Sequence, residues 1–288
     1  FSPARGDRSP VRGGPACRPS ARLGARRGTP PFVQEGSETM STYVFSDVHG
    51  HRLPLERALE RVSPSEGDRF FCLGDMIDRG PDPVGVLRVC RSLPGACALM
   101  GNHEDLMVSC LSDPRDPLAA MNWGLNGGAA TSEGLAAISA DEANELMDWV
   151  RSLPRWAQAV VGGRRYLLVH AGVRLGARVP EAWDDASAAA WLDAQDPEDL
   201  SWIREEFWGA PEGLSGAGGG GPVVVAGHTP TSLDRPALDS DGRARMVRVG
   251  ADRWDIDCCA AGGSGIGQVL VLRLDDGEEF YEPVRDGE

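Results

Sequence analysis

Apolar and polar positions alternate in blocks from residue 42 onward, and the block lengths predict a regular succession of elements. Residues 42–46 read as a strand, 53–62 as a helix with Leu53, Leu55, Leu59 and Val62 on one face, and 69–73 as the next strand. A helix at 84–93 and a strand at 96–100 follow. That is a βαβαβ unit, and such sheets gather ligands at the carboxyl ends of their strands. Residues 104–155 read as mainly helical, clearest over 104–111 and 141–152, with Trp123-Gly124-Leu125-Asn126-Gly127-Gly128 between them as a tight loop at the rim of a site. Strands are predicted at 156–161 and 166–169, a helical region at 186–207, and strands at 223–226, 245–249, 253–257, 268–274 and 278–283. The Gly-rich run 216–221 precedes no helix, so it reads as a connector rather than a phosphate cradle.

Three polar clusters end apolar runs. Phe70-Phe71-Cys72-Leu73 stops in Gly74-Asp75-Met76-Ile77-Asp78-Arg79-Gly80; Ser46-Asp47-Val48-His49-Gly50 lies one unit upstream, and Gly101-Asn102-His103-Glu104 one unit downstream. The spacing, about one strand-helix-strand crossover of roughly 30 residues, puts the clusters on neighbouring strand tips. Two later strands end in His170-Ala171-Gly172 and Gly227-His228-Thr229-Pro230. Four of the five histidines (His49, His103, His170, His228) therefore close a strand-then-turn motif, a distribution that packing does not explain. The fifth, His51, reads as solvent-facing.

Residues i and i+2 of an extended chain point the same way, so Asp47 and His49 are expected to grip one ion. Asp75 is expected to bridge it to a second, completed by Asn102, His170 and His228. An oxygen and nitrogen set without thiolate suits two divalent ions of the Mn²⁺, Fe or Zn²⁺ type, with Mn²⁺ first, and a water bridging them is acidified toward neutral pH.

Composition narrows the setting. The 288 residues carry a net charge of −14, with 41% apolar content, enough for a substantial core. Residues 1–40 hold seven Arg against three carboxylates, so residues 41–288 carry −18. An acidic body argues against nucleic acid as a partner, and no apolar run approaches the roughly 20 residues of a spanning helix. Residues 1–40, rich in Pro, Gly, Ser and Arg, are expected to be a disordered extension to a single domain at 41–288. Two readings of that extension stay open: a transit peptide, which would imply an organelle, or upstream sequence not made in the cell, favoured because Met40 stands directly before the first strand. Seven Cys, an odd number without an apolar leader, fit a reduced, cytoplasmic protein. All 29 basic residues are Arg, so no lysine can act as nucleophile or phosphate anchor.

In this order the motifs resemble the signature blocks of the phosphoprotein phosphatase family within the calcineurin-like metallophosphoesterases: GD-x-HG, GD-x-x-DRG, GNHE, HAG and a late GH. The resemblance spans residues 44 to about 284 and departs from the pattern at Ser46, where Gly is usual, and near Cys259. It implies an α/β fold with two mixed β-sheets packed as a sandwich and flanked by helices, and the same six metal positions. It further implies that Arg79 binds phosphoryl oxygens and that His103, oriented by Asp78, protonates the leaving group after direct attack of a metal-bridging hydroxide. Trp202-Ile203-Arg204 looks like the block carrying a second phosphate-binding Arg, Arg204; Asp257 resembles a late acidic position whose role stays open. Symmetrical diadenosine tetraphosphate hydrolases resemble GD-x-x-ARG with GNHD, whereas this chain has Asp78 and Glu104. The expected substrate is therefore a phosphoserine or phosphothreonine protein, with the dinucleotide as the alternative.

Overall fold

The computed structural model describes residues 40–288 apart from 177–178, 212, 215–219 and 235. The extension 1–39 and most of the 216–221 connector lie outside the described residues. Within them, β1 (Thr42–Phe45), β2 (Arg69–Cys72) and β3 (Cys97–Ala98) run parallel, joined by α1 (Arg52–Val62) and α2 (Pro83–Ser92). β9 (Gln268–Arg273) and β10 (Glu279–Pro283) add antiparallel to the other side of β1, giving the order β10-β9-β1-β2-β3. The second sheet, in the order β4-β5-β6-β8-β7, contains β4 (Trp156–Val161), β5 (Arg164–Val169), β6 (Val223–Ala226), β7 (Val247–Val249) and β8 (Arg253–Asp255). Its β5, β6 and β8 are parallel and its edge strands antiparallel. Both sheets are mixed, as expected.

The side-chain period of two sorts each strand between two faces. Val44, Phe71 and Leu272 meet Leu168, Val223 and Val225 between the sheets. Their neighbours Tyr43, Phe45 and Phe70 point the other way, into α1, α2 and the helices that follow β3. On the far side Leu167, Val224 and Ala226 pack under α7 (Asp185–Asp193), α8 (Pro197–Trp202) and α9 (Glu205–Trp208). Strands buried on both faces read as continuous apolar runs, which is why 223–226 carries no polar position.

Between β3 and β4 lie α3 (Asn102–Ser112), α4 (Pro117–Leu125), α5 (Ala129–Ala136) and α6 (Ala140–Arg151). Asp82, Asp116 and Ser139 cap α2, α4 and α6 by accepting backbone N–H groups of their first turns.

Several expectations are corrected. Only Cys97 and Ala98 of 96–100 pair as a strand. The helical region 186–207 divides into three short helices, because Pro197 starts a new helix behind its Asp196 cap and Arg204 leaves helical geometry at φ −129°, ψ −96°. Leu53 is exposed, whereas Leu55 and Leu59 are buried as expected, together with Pro54 and Ala58. His51 is buried, with Nδ1 donating to the Glu288 carbonyl at 2.8 Å.

Candidate dinuclear metal and phosphate site

The polar clusters converge on one cleft at the carboxyl ends of β1, β2, β5 and β6, lined by His49, Asp75, Arg79, Asn102, His103, Arg204, His228 and Asp257 among others. The chain makes the cleft by leaving extended geometry abruptly. Asp47, His49, Asp75, Asp78, Arg79, His228 and Cys259 all take positive φ, between 46° and 68°. Each costs on the order of 1–2 kcal/mol for a side-chain-bearing residue, and such outliers cluster where function demands them. The cost is offset by cross-loop backbone bonds, among them His49 N–H to the Asp75 carbonyl and Gly50 N–H to the Met76 carbonyl, both 2.9 Å. Asp47 and His49 lie in this left-handed turn, not in the extended i, i+2 geometry expected for them.

Two groups of metal-competent atoms share Asp75: His49, Asp75 and His103, and Asp75, His170 and His228. The ring tautomers favour cation binding. His49 Nδ1 donates to the Ile77 carbonyl and His170 Nδ1 to the Leu73 carbonyl, both at 3.0 Å, which leaves bare Nε2 lone pairs 3.5 and 3.4 Å from the two Asp75 oxygens. Asn102 Oδ1 lies 2.9 Å from His170 Nε2. His228 presents Nδ1 to the same point, 3.2 Å from His170 Nε2. The buried donor set of carboxylates, an amide oxygen and imidazoles thus fits two divalent ions. Asp47 stands apart from the tight groups: its Oδ2 accepts from the Ser46 hydroxyl at 2.5 Å and the His228 N–H at 3.0 Å. The departure at Ser46 therefore supplies a donor that aims this carboxylate.

Electrostatics follow from burial. Desolvation lowers His49 to about 3 and His228 to about 2, keeping both rings neutral as ligands require. Asp75 is depressed; burial opposes this, but the surrounding histidines outweigh it. Burial and the neighbouring Asp75 push Glu104 up to about 7. Burial also works against a charged His103, yet Asp75 and the Asp78 hydrogen bond together raise it above a free imidazole. Asp257 is raised well above a free carboxyl by burial and by Asp47, with Oδ1 accepting from Cys259 N–H.

The candidate catalytic residues come together as the motif spacing predicts. His103 Nδ1 donates to Asp78 Oδ2 at 2.7 Å. The Arg79 guanidinium reaches His103 Nε2 at 2.9 Å and His49 Nε2 at 3.3 Å. Arg204, exposed at the break before α9, lines the same cleft. Two residues play parts that sequence reasoning missed. Trp123 is buried behind the site rather than at its rim, and Thr131 touches Asp78. Only Asn126 of that segment reaches the cleft.

Glu104 accepts the backbone N–H groups of Asp75, Met76 and Gly101 at 2.8–2.9 Å, so it builds the loop instead of meeting a substrate. Asp78 is likewise fully buried. The distinction between protein and nucleotide substrates drawn from these two positions therefore has no basis in direct contact.

The family model described as calcineurin-like phosphoesterase matches residues 40–264. Curated relatives include "Bis(5'-nucleosyl)-tetraphosphatase, symmetrical" of Paracidovorax citrulli, 33% identical over 46% of this chain and 45% of that protein. The protein of that name from Erwinia tasmaniensis is 32% identical over 52% and 49%. The chain spans about half the length of the curated relatives it matches. Among solved structures, "Crystal structure of a putative diadenosine tetraphosphatase" superposes over 87% of this chain and 96% of that one, with TM-score 0.55 and 20% identity, a likeness of fold. Among the described residues no helix is long and apolar enough to cross a membrane.

Proposed function

Because this chain belongs to the calcineurin-like phosphoesterase family, we propose that it is a two-metal phosphoesterase that cleaves a phosphoric anhydride of a dinucleoside polyphosphate. The observation that carries the chemistry is Asp75, whose two oxygens face separate imidazoles with bare nitrogens. Asp47, His49 and Asp75 would hold one divalent ion, and Asp75, Asn102, His170 and His228 the other. Such ions, when bound, supply an acidified water as nucleophile and neutralise phosphoryl charge.

The chain's own groups do the rest. Arg79 is a donor-only fork that now rests on the lone pairs of His49 and His103. A phosphoryl group offers it better acceptors, two oxygens at once. Arg204, which lines the same cleft, would take a further oxygen. With Arg79 engaged, His103 Nε2 is free to carry the proton that passes to the leaving oxygen as the P–O bond breaks, while Asp78 holds Nδ1.

The relatives' names favour the dinucleotide, and one feature of the cleft supports it. Trp202, 39% exposed, lines the cleft as Arg204 does, with its ring 5.8 Å from that of His228. An exposed indole next to a guanidinium is a platform on which a nucleobase stacks.

A second reading, phosphoserine or phosphothreonine in proteins, is favoured by the Asp78–His103 pair. A built acid matters most for an alkoxide, which leaves poorly, and less for a nucleotide phosphate. Steady-state hydrolysis of diadenosine tetraphosphate and a phosphothreonine peptide by Mn²⁺-reconstituted protein separates the two. A kcat/KM preference for the dinucleotide is expected; preference for the peptide overturns the first reading in favour of the second. Absence of turnover on both, with two ions bound, overturns the enzyme reading.

A further inference from the structure

We propose that α4 and α5 form a clamp on the catalytic pair, in which Trp123 and Thr131 are positioning residues for the His103 proton donor. The inference rests on His103 serving as that donor and concerns what holds it. The Asp78 carboxylate receives three donors. His103 Nδ1 binds Oδ2 at 2.7 Å, the Trp123 indole N–H binds Oδ2 at 3.0 Å and Oδ1 at 3.1 Å, and the Thr131 hydroxyl binds Oδ1 at 2.5 Å. Thr131 Oγ1 also accepts the Asp78 backbone N–H at 2.9 Å, so this one side chain fixes both ends of Asp78. One turn away, the Gly127 carbonyl accepts the Arg79 N–H at 3.2 Å.

These bonds answer a specific need. Asp78 and Arg79 sit at φ +68° and +67°, in the region that disfavours side-chain-bearing residues. Two successive residues there hold their geometry only if partners outside the loop over-determine it. Trp123, Gly127 and Thr131 all come from α4, α5 and their connection. Gly127 packs against the Arg79 side chain so closely that a Cβ would fall 2.9 Å from Arg79 Cγ. Asp78 is fully buried, so no water can replace a lost donor without rearrangement. With two fixed donors, the carboxylate stays correctly turned, and the imidazole it holds keeps Nε2 aimed into the cleft. The proton that leaves Nε2 for the departing oxygen is then delivered from a fixed point.

The clamp predicts a selective defect. Thr131→Val removes, at nearly constant shape, the hydroxyl that donates to the Asp78 carboxylate and accepts its N–H; Trp123→Phe removes the indole N–H together with the pyrrole ring; Thr131→Ser keeps the hydroxyl. With Mn²⁺-loaded full-length protein and a series of aryl and alkyl phosphates, both variants should lower kcat about tenfold or more for the most basic leaving groups and about twofold or less for p-nitrophenolate. KM and metal content should stay near wild type, and Thr131→Ser should recover most of the loss. The hydrogen-bonded His103 Nδ1 proton, assigned in NMR spectra of the protein loaded with diamagnetic Zn²⁺ by its disappearance in His103→Asn, should shift in both variants. A loss of kcat uniform across the series, or no loss together with an unshifted proton signal, overturns the clamp. If His103→Asn itself shows no dependence on the leaving group, the assignment of His103 as donor has failed instead; the proton signal then decides whether α4 and α5 hold the pair.

Discussion

His170 Nε2 and His228 Nδ1 face each other across 3.2 Å, two ring nitrogens that can share at most one proton. A cation held by these two rings with Asn102 and Asp75 would satisfy both. His228→Ala should therefore bind one fewer divalent ion per chain than wild type, counted by elemental analysis after gel filtration, with an unchanged far-ultraviolet spectrum. Removing both ions with a chelator should lower the melting temperature by several degrees, since binding confined to the native state stabilises it. Equal metal content in the variant would place His228 outside the site.

Metal binding should also release protons, in a pH-dependent way. Glu104, pushed up to about 7, lies beside Asp75 and keeps a proton below that pH in the metal-free protein. Two nearby cations lower its pKa, so loading at pH 6 expels that proton, whereas at pH 8.5 it is already gone. Because the folded value exceeds the ordinary 4.5, the metal-free fold binds more protons than the unfolded chain between 4.5 and about 7. This group's contribution to stability is thus present below 4.5 and falls as pH rises through 7. Calorimetric titration in buffers of different ionisation enthalpy reads the proton count directly; a count no larger at pH 6 than at 8.5 would contradict this account.

Gly227→Ala should disable the site without touching a ligand. A Cβ there would fall 1.9 Å from Asp47 Oδ2 and 2.5 Å from Ser46 Oγ. Neither can retreat while Asp47 keeps its bonds to Ser46 and His228. The expected result is weaker metal binding and turnover reduced by about 100-fold, in line with losses from groups that orient metal ligands. Dialysis against graded metal concentrations checks it; wild-type affinity would mean that Asp47 is free to move.

Trp202→Ala should raise KM for diadenosine tetraphosphate about tenfold, the cost of one lost base stack, and leave p-nitrophenyl phosphate hydrolysis nearly unchanged. Equal effects on both substrates would assign Trp202 to packing against His228.

The site was legible wherever an apolar run ended in charged residues. Phe70 to Leu73 running into Asp75, Asp78 and Arg79, and Val223 to Ala226 running into His228, are local patterns, and the parallel β1-β2-β3 order follows from their spacing. Trp123 and Thr131 were not legible, because nothing in two short apolar helices announces that their polar atoms meet a carboxylate about 50 positions earlier. His51 was misread for the same reason: its partner is Glu288, 237 positions away. The meaning of Asp78 and Glu104 was misjudged in a different way. Their presence in the motifs is plain, but only burial shows that both face protein rather than substrate.

The sequence by itself determined most of the strands and which polar residue types end them, since those depend on residue type and short-range periodicity. The tertiary structure decided which nitrogen of each imidazole is bare, how Ser46 and His228 aim Asp47, and that α4 and α5 close over Asp78. These outcomes depend on distances between segments remote in the chain, which are set only when the two sheets and their helices pack.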